Sequence, residues 1–461
     1  METDQGITLQ TDKLSEIKAR IDRFLFGNWF FIFCAALSFS AWTLGAFWLP
    51  AVHIVISAFA VIIIYLLFFC DDISPVIPLL AVLIFVLPGE NFAYNRDDEN
   101  LRGVMAYAWH AVWLLFIIAG VVYYFVKRKP KFKKSRLFWP TVVFSAVMPL
   151  SGLFSGYYTG TMNITMFLFM MLMYPAAAIL LFNLCGKVTL EYFAKSVLAA
   201  GAVLFLETCV FFIAHPGVLT DPYEWVVLGW GMSNNIAVIL AMAVPAAFYL
   251  ALNGKADVYY LAAAFVLSIG VALTKARGAI LLLAAAYPFM IFFYLKQSPK
   301  EMRKRRAIIL SCCAAAALTV ALIFIRQLWG IVEKFKEMGL SNNGRFEIWL
   351  EALNVFAKHP VFGAGFAYPS QAVENNPFYT AHNTLLQFLA SCGIVGLLAC
   401  LYLFVSRYLL FFKAWKPHHV FFLIMMLGYE IYGMVDISPF LPYALFLTCV
   451  LFNSLEQSCA E

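Results

Sequence analysis

The chain has 461 residues, of which 63% are hydrophobic and 13% are charged, and its mean hydropathy is +0.83. A soluble globular protein is about 45–50% apolar and roughly 25% charged, so the composition excludes an ordinary soluble domain. The net charge of +6 requires no nucleic-acid partner, because the Lys and Arg residues gather in a few loops, where they orient a membrane protein. We therefore predict an all-α polytopic membrane protein that binds membrane lipids and no nucleic acid.

The apolar residues form runs of about 18–25 residues, the length that crosses the hydrocarbon of a bilayer. They predict about 12–14 transmembrane helices within a single membrane domain over residues 28–456. In chain order the runs lie near residues 28–48, 50–70, 74–88, 104–126, 137–156, 161–182, 191–214, 234–252, 257–274, 278–295, 307–326, 384–412, 419–435 and 440–455.

The segment before the first run, residues 1–27, is polar and amphipathic. Leu14, Ile17 and Ile21 recur in it at helical spacing among basic residues, a pattern typical of a helix that lies in the membrane interface. No cleavable signal peptide is evident. We predict an amphipathic N-terminal segment on the cytoplasmic face.

The charged loops predict the orientation of the chain. Basic clusters at residues 127–136 and 296–306 contrast with mixed or acidic segments at 90–102, 215–233 and 327–382. Fourteen spans place both basic clusters on the side of the N-terminus, as the positive-inside rule requires. We predict cytoplasmic N- and C-termini and an extracytoplasmic loop over residues 327–382. A long loop between two spans is where a functional site is typically built.

Arg345 is the first candidate site residue in that loop. Apolar residues at helical spacing follow it until His359 and Pro360, which end the predicted amphipathic helix because the residue before proline avoids the α region. A cation in a first helical turn is disfavoured by about 0.3–1 kcal/mol. Its presence indicates an arginine that binds an anion beside free backbone N–H groups. A solvated arginine, or one paired with Glu347 or Glu351, is the alternative.

Two further candidates lie at the starts of apolar runs. Lys275 and Arg277 occupy a short break on the side predicted to face outward, where cations either bind a lipid phosphate or extend to the interface. His382 directly precedes a run that Asn383 or Thr384 could cap. A helix N-terminus disfavours imidazolium, so the ring is expected to stay neutral and able to accept a proton. A structural histidine is the alternative.

Acidic residues and cysteines provide no predicted metal site. Glu207 and Glu430 lie inside apolar runs and Asp436 near the end of one, where carboxyl groups usually face a polar partner; their roles stay open. Residues 97–99 are acidic, but a solvated turn is favoured over a metal site. The ten cysteines lie mostly in apolar runs without a CxxC pair, as expected of small buried hydrophobes. We expect neither a metal nor a cofactor.

Three blocks of sequence occur in a fixed order. Residues 273–279 read LTKARGA, residues 343–349 read NGRFEIW and lead to HPVFGAG at 359–365, and residues 381–387 read AHNTLLQ. Together they resemble the O-antigen ligase and polymerase family of bacterial envelope glycan enzymes, over about residues 230–410.

This resemblance implies a GT-C-like, metal-independent glycosyltransferase in the bacterial cytoplasmic (inner) membrane. Its donor is a glycan carried on a polyprenyl diphosphate, and its acceptor is a glycan or a lipid. It implies that Arg277 and Arg345 bind the diphosphate and that His382 is the general base. Further substrate contacts are expected from Lys275, Asn383, Asn234, Asn235 and Trp349.

The product remains open within this class. The resemblance fits an O-antigen, capsule or exopolysaccharide polymerase as well as an O-antigen ligase, and the length of the chain and of its cytoplasmic loops slightly favours a polymerase. A lipid-linked oligosaccharide flippase or another multi-pass transporter is the alternative function, since such proteins also have many spans.

Overall fold

The computed structural model describes residues 15–89, 108–156, 174–186, 188–221, 224–253, 256–323, 345–366, 381–436 and 442–459, with 329, 333 and 336 as isolated positions. Within these residues the chain forms helices and turns, with one isolated β-bridge. The helices are α1 (15–25), α2 (Asn28–Gly45), α3 (Pro50–Phe69), α4 (Val76–Leu83), α5 (Ala108–Arg128), α6 (Phe138–Val147), α7 (Tyr174–Leu184), α8 (Leu190–Ala214), α9 (Pro216–Thr220), α10 (Ser233–Asn253), α11 (Asp257–Leu273), α12 (Arg277–Gln297), α13 (Lys300–Ile323), α14 (Arg345–Lys358), α15 (Thr384–Lys413), α16 (Val420–Tyr432) and α17 (Pro442–Ser458).

Seven of the described helices are long and apolar enough to cross a membrane: α2, α3, residues His110–Arg128 of α5, α8, α10, α12 and α15. Four shorter apolar helices cover Val76–Val86, Phe138–Leu150, Tyr174–Leu184 and Asp257–Leu273. The predicted all-α polytopic membrane fold is thereby confirmed. The total of 12–14 spans stays a prediction, because most of the run predicted at 161–182 lies outside the described residues.

Helix α10 lies at the centre of the bundle. Nearly all of its residues from Ile236 to Ala251 are buried, and it packs against α8, α11, α12 and α16. Its alanines allow neighbouring helices to approach closely, as small residues do in membrane bundles. The position of its first turn, at Ser233, is therefore set by four neighbouring helices.

The N-terminal helix α1 is attached to the bundle through one acidic side chain. Asp22 accepts a hydrogen bond of 2.9 Å from the Tyr65 hydroxyl and pairs with Lys18. Leu25 is buried, whereas Ile17 is exposed, which agrees with an amphipathic helix. Residues 1–14 lie outside the described part, and the cytoplasmic placement of this segment remains a prediction.

A cluster of charges joins helices α10 to α13 at one end of the bundle. Asp257 accepts from Arg305 at 3.0 Å and lies 3.6 Å from Nε of Arg306. The buried Arg306 also donates to the Ser298 hydroxyl and to the Leu252 carbonyl. These contacts satisfy the last carbonyls of α10, which lack partners inside the helix.

Candidate functional site

Four helices begin close to one another on one side of the bundle: α10 at Ser233, α12 at Arg277, α14 at Arg345 and α15 at Thr384. The end of α16 and the turn after it, which reaches Asp436, lie among these starts. A helix N-terminus has backbone N–H groups without partners in the helix and a partial positive charge. This arrangement favours the binding of negative charge.

Asp436 connects two of these helix starts. One carboxylate oxygen accepts a hydrogen bond of 2.8 Å from the amide of Asn234. The other lies 3.5 Å from Nδ1 of His382. Both side chains of the His382–Asp436 pair are largely buried, with 20% and 12% of their surfaces exposed. The carboxylate is thus placed to orient the imidazole.

The backbone around His382 is held in a strained conformation. His382 has φ of +47°, an uncommon value for a residue other than glycine. The preceding Ala381 donates its N–H to the side-chain oxygen of Gln387 at 2.6 Å, and that side chain is itself bonded to Ser391 at 2.8 Å. The surrounding bonds therefore maintain the turn that directs the histidine.

The start of α15 is also fastened to the end of α16. Asn383 caps α15 by accepting from Leu386 N–H at 3.0 Å, as predicted, and its amide donates to the Met434 carbonyl at 2.9 Å. The N–H of Thr384 donates to the Gly433 carbonyl at 2.8 Å. These bonds determine the separation between His382 and Asp436.

Two glycines allow the segment after α14 to lie directly on α15. Gly393 interrupts α15 with φ of +64°, and a Cβ there would lie 2.3 Å from the Val361 carbonyl oxygen. Gly363 has φ of +68°, and its Cβ would lie 2.3 Å from the backbone of Ser391. Backbone hydrogen bonds between the two segments, such as the one from Ala364 N–H, replace the helix hydrogen bonds that are missing at the interruption. Only glycine permits such close backbone approach.

This docking places α14, and with it Arg345, beside the start of α15. Ala352 and Val355 of α14 are buried against Ala390 and Leu386 of α15. Helix α14 spans Arg345–Lys358, which confirms the helix predicted to end at His359–Pro360. The candidate residues in α14 and α15 are therefore held by packing rather than by chain connectivity alone.

Arg277 and Arg345 lie close enough for their positive charges to repel each other. Tyr432, buried at the end of α16, interacts electrostatically with both Arg345 and Asp436. A Cβ on Gly278 would lie 3.3 Å from the Tyr432 ring, so the start of α12 packs on the same side chain. Among the described residues, no ion pair joins Arg345 to a glutamate of its own helix.

The structure brings Asn234, Asn383, Arg277, Arg345 and His382 together as parts of one site. It places Lys275 differently. The Lys275 side chain is buried, and its ammonium group donates to the carbonyls of Val218 and Asp221.

That geometry gives Lys275 a structural role, in which it holds the segment after α8 against the start of α12. We therefore leave it out of the substrate-binding set.

The two remaining predicted contacts lie at the edge of the site. Trp349 is one helical turn after Arg345 and thus on the same face. Its ring packs edge-on against Phe346 at 5.3 Å, and its buried indole N–H has no hydrogen-bond partner among the described residues. Asn235 follows Asn234 in the first turn of α10 and is half-buried, but none of the contacts described here joins it to Asp436 or His382.

Sequence reasoning missed the role of Asp436 and the contributions of Gln387 and Tyr432. The acidic residue at the end of a run was visible, but its pairing with His382, 54 positions away, was not. The sequence signal for Gln387 is its position one helical turn after the Asn383 cap.

Residues 262–401 match the family model described as O-antigen ligase. The matched segment contains Arg277, Arg345 and His382, whereas Asn234 and Asp436 lie outside it. No curated protein matches the chain.

Proposed function

We propose that the chain, whose residues 262–401 match the O-antigen ligase family model, transfers a glycan from a polyprenyl-diphosphate-linked donor to a hydroxyl group of an acceptor. The observation that carries the proposal is the placement of two mutually repelling arginines beside the His382–Asp436 pair. One half of this site suits a polyanionic leaving group, and the other suits the removal of a proton.

Arg277 and Arg345 form the leaving-group half. Two guanidinium groups held close together attract a polyanion more strongly than one such group does. The guanidinium group is planar, permanently charged and a multiple donor, which suits a diphosphate. The backbone N–H groups at the starts of α12 and α14 add to the same positive field. Charge that develops on the departing diphosphate is therefore stabilised by groups that are already in position.

His382 forms the base half. The acceptor hydroxyl oxygen attacks the anomeric carbon of the donor glycan, and the bond from that carbon to the diphosphate oxygen breaks. The imidazole takes the hydroxyl proton, and Asp436 stabilises the imidazolium that results. The electron pair of the broken bond leaves with the polyprenyl diphosphate. The proton then passes from His382 to solvent, which restores the base.

We place the reaction at the outer face of a bacterial cytoplasmic membrane. Helix α12 begins at Arg277 in the site and ends at Gln297, a rise of about 30 Å, which is the thickness of the hydrocarbon layer. The basic residues of 296–306 follow directly at its other end. Basic loops favour the cytoplasmic side, which supports an outward-facing site.

The test is His382→Ala in the purified protein, reconstituted in lipid with a lipid-linked donor and a glycan acceptor. We expect transfer to fall by roughly 10²–10⁴-fold, the contribution of a general base, at an unchanged level of inserted protein. His418→Ala is the control, since His418 lies in the turn between α15 and α16. Normal transfer by His382→Ala contradicts the assignment.

A second measurement separates the members of this class. In a strain that lacks the protein, single repeat units accumulating on the lipid carrier indicate a polymerase, and long chains accumulating there indicate a ligase. Liposomes in which the protein moves the carrier across the bilayer but transfers no glycan would instead support the transporter alternative.

A further inference from the structure

A short hairpin inserts into the bundle directly before α10. Val227 and Met232 form an antiparallel β-bridge, and Leu228 N–H donates to the Gly231 carbonyl at 2.9 Å. Val226, Val227 and Leu228 are buried. A loop that enters the apolar interior needs internal partners for its polar groups. The contacts that provide them show what holds the hairpin in place.

Two side chains from different helices supply those partners. The indole N–H of Trp42 in α2 donates to the Leu228 carbonyl at 3.2 Å. The indole N–H of Trp230 donates to Oε2 of Glu207 in α8 at 3.1 Å. The ring of Trp230 also packs on Phe85, with centroids 4.7 Å apart. The hairpin is therefore fixed at both sides of its tip.

Glu207 is a carboxyl group at a position where its burial is energetically unfavourable. It lies within a helix long enough to span the membrane and has no exposed surface. Its second oxygen, Oε1, has no hydrogen-bond partner among the described residues. Ionisable groups inside a membrane segment usually have a function, since their burial is unfavourable. Among the described residues, Trp230 is the hydrogen-bond partner of this carboxyl group.

The hairpin leads directly into the first turn of α10, beside the proposed site. The Ser233 hydroxyl accepts from the Val226 N–H at 2.9 Å, so the base of the hairpin is closed by the first residue of the helix. The next residue is Asn234, whose amide donates to Asp436. Asn234 follows Trp230 by four positions. The chain between them belongs to the hydrogen-bonded hairpin and the first turn of α10, so it is not a free loop.

We propose that Glu207 is a positioning residue for the transfer reaction. By holding Trp230 it sets the start of α10, so that the Asn234 amide meets Asp436 and Asp436 in turn orients His382. The inference rests on the proposed function of the His382 site. It assigns a reason for a buried acid that lies outside the matched family segment and acts on His382 only through Trp230, Asn234 and Asp436.

The experiment compares Glu207→Leu, Glu207→Gln and Trp230→Phe in steady-state transfer assays with the reconstituted full chain. Glu207→Leu and Trp230→Phe each delete the bond, and we expect kcat to fall by about tenfold, equivalent to one lost interaction in the transition state. The KM for the lipid-linked donor is expected to stay unchanged, because Arg277 and Arg345 bind it. Glu207→Gln keeps a carbonyl oxygen for Trp230 and should retain kcat within about threefold.

Epistasis with Asn234 separates positioning from general stabilisation. If Glu207 acts through Asn234, the double variant Glu207→Leu/Asn234→Leu has the same kcat as Asn234→Leu alone. Multiplied effects, or a loss confined to the amount of folded protein, overturn the inference. Tyr287→Phe is the control, because it deletes another interhelical bond, the partly buried 2.6 Å contact with Ser268, and should leave kcat unchanged.

These experiments distinguish a failure of the role inferred for Glu207 from a failure of the proposed function. If the wild-type protein transfers glycan and His382→Ala does not, while Glu207→Leu and Trp230→Phe keep normal kcat, only the role of Glu207 is wrong. If His382→Ala transfers glycan normally, the site assignment fails, and this inference fails with it.

Discussion

Two clusters in this bundle each contain two arginines and one aspartate, but the arrangements differ. At one end, Asp257 faces both Arg305 and Arg306, at 3.0 and 3.6 Å. At the other end, Asp436 faces Asn234 and His382, while Arg277 and Arg345 repel each other. In the first cluster the carboxylate pairs with both arginines, whereas in the second it contacts an amide and an imidazole.

The difference indicates which cluster is structural. Arg306 is buried, donates to the end of α10 and lies over the Tyr294 ring at 5.1 Å, so its charge is compensated within the chain. Both arginines of this cluster thus have a carboxylate partner within the chain, as expected of a structural ion-pair cluster. The Arg277–Arg345 pair instead places two like charges beside each other, an arrangement that suits a polyanionic ligand such as the donor diphosphate.

Among the variants that test this comparison, the largest expected effect comes from removing one arginine of the repelling pair. Arg345→Gln is expected to lower kcat for transfer by about 10²–10³-fold, as loss of one preorganised donor does. Arg305→Gln is the matched control and should lower stability without changing kcat in the folded fraction. Steady-state transfer assays and thermal unfolding in detergent measure the two effects. Equal losses of kcat in both variants would remove the distinction between the clusters.

The two aspartates sharpen the comparison further. Asp436→Asn is expected to lower kcat by roughly 10–100-fold, less than the full contribution of the base, because an amide cannot stabilise the imidazolium of His382. The KM for the donor should change little. Asp257→Asn leaves two cations with a weaker partner and should lower the unfolding temperature while kcat is retained. A drop in kcat for Asp257→Asn at normal stability would contradict this assignment.

Local features of the site were predictable from the sequence. The helix from Arg345 to Lys358 follows from apolar spacing and the His359–Pro360 stop, and the Asn383 cap follows from its place before an apolar run. Both are determined by residues within a few positions of one another. The general class of membrane protein follows in the same way from the length of the apolar runs.

The contacts that complete the site join residues far apart in the chain, and no local pattern reveals them. Lys275 and Arg277 are two positions apart and equally basic, yet one is buried against the carbonyls of Val218 and Asp221. The difference arises from the packing of the segment after α8, which spacing does not encode. Likewise, the pairing of Asp436 with His382 depends on how α16 ends against α15.

The smallest expected effect tests whether the start of α15 has a role beyond helix stability. Asn383 and Thr189 are both helix caps, accepting from Leu386 N–H at 3.0 Å and Tyr192 N–H at 3.1 Å. Replacing either by Ala should cost about 1 kcal/mol of stability. Only Asn383 also donates to Met434 beside the His382–Asp436 pair. Asn383→Ala should therefore lower kcat several-fold, about one hydrogen bond's worth, whereas Thr189→Ala should not.

Asn383→Asp separates the two roles of this side chain. It keeps the cap, since a carboxylate accepts from Leu386 N–H at least as well, but it cannot donate to the Met434 carbonyl. Normal stability together with reduced kcat in this variant would show that the bond to the turn after α16 aligns His382 with Asp436. If kcat instead follows stability across Asn383→Ala, Asn383→Asp and Thr189→Ala, then the start of α15 is merely a well-capped helix, and the alignment of the base must come from Gln387 and the backbone of Ala381 alone.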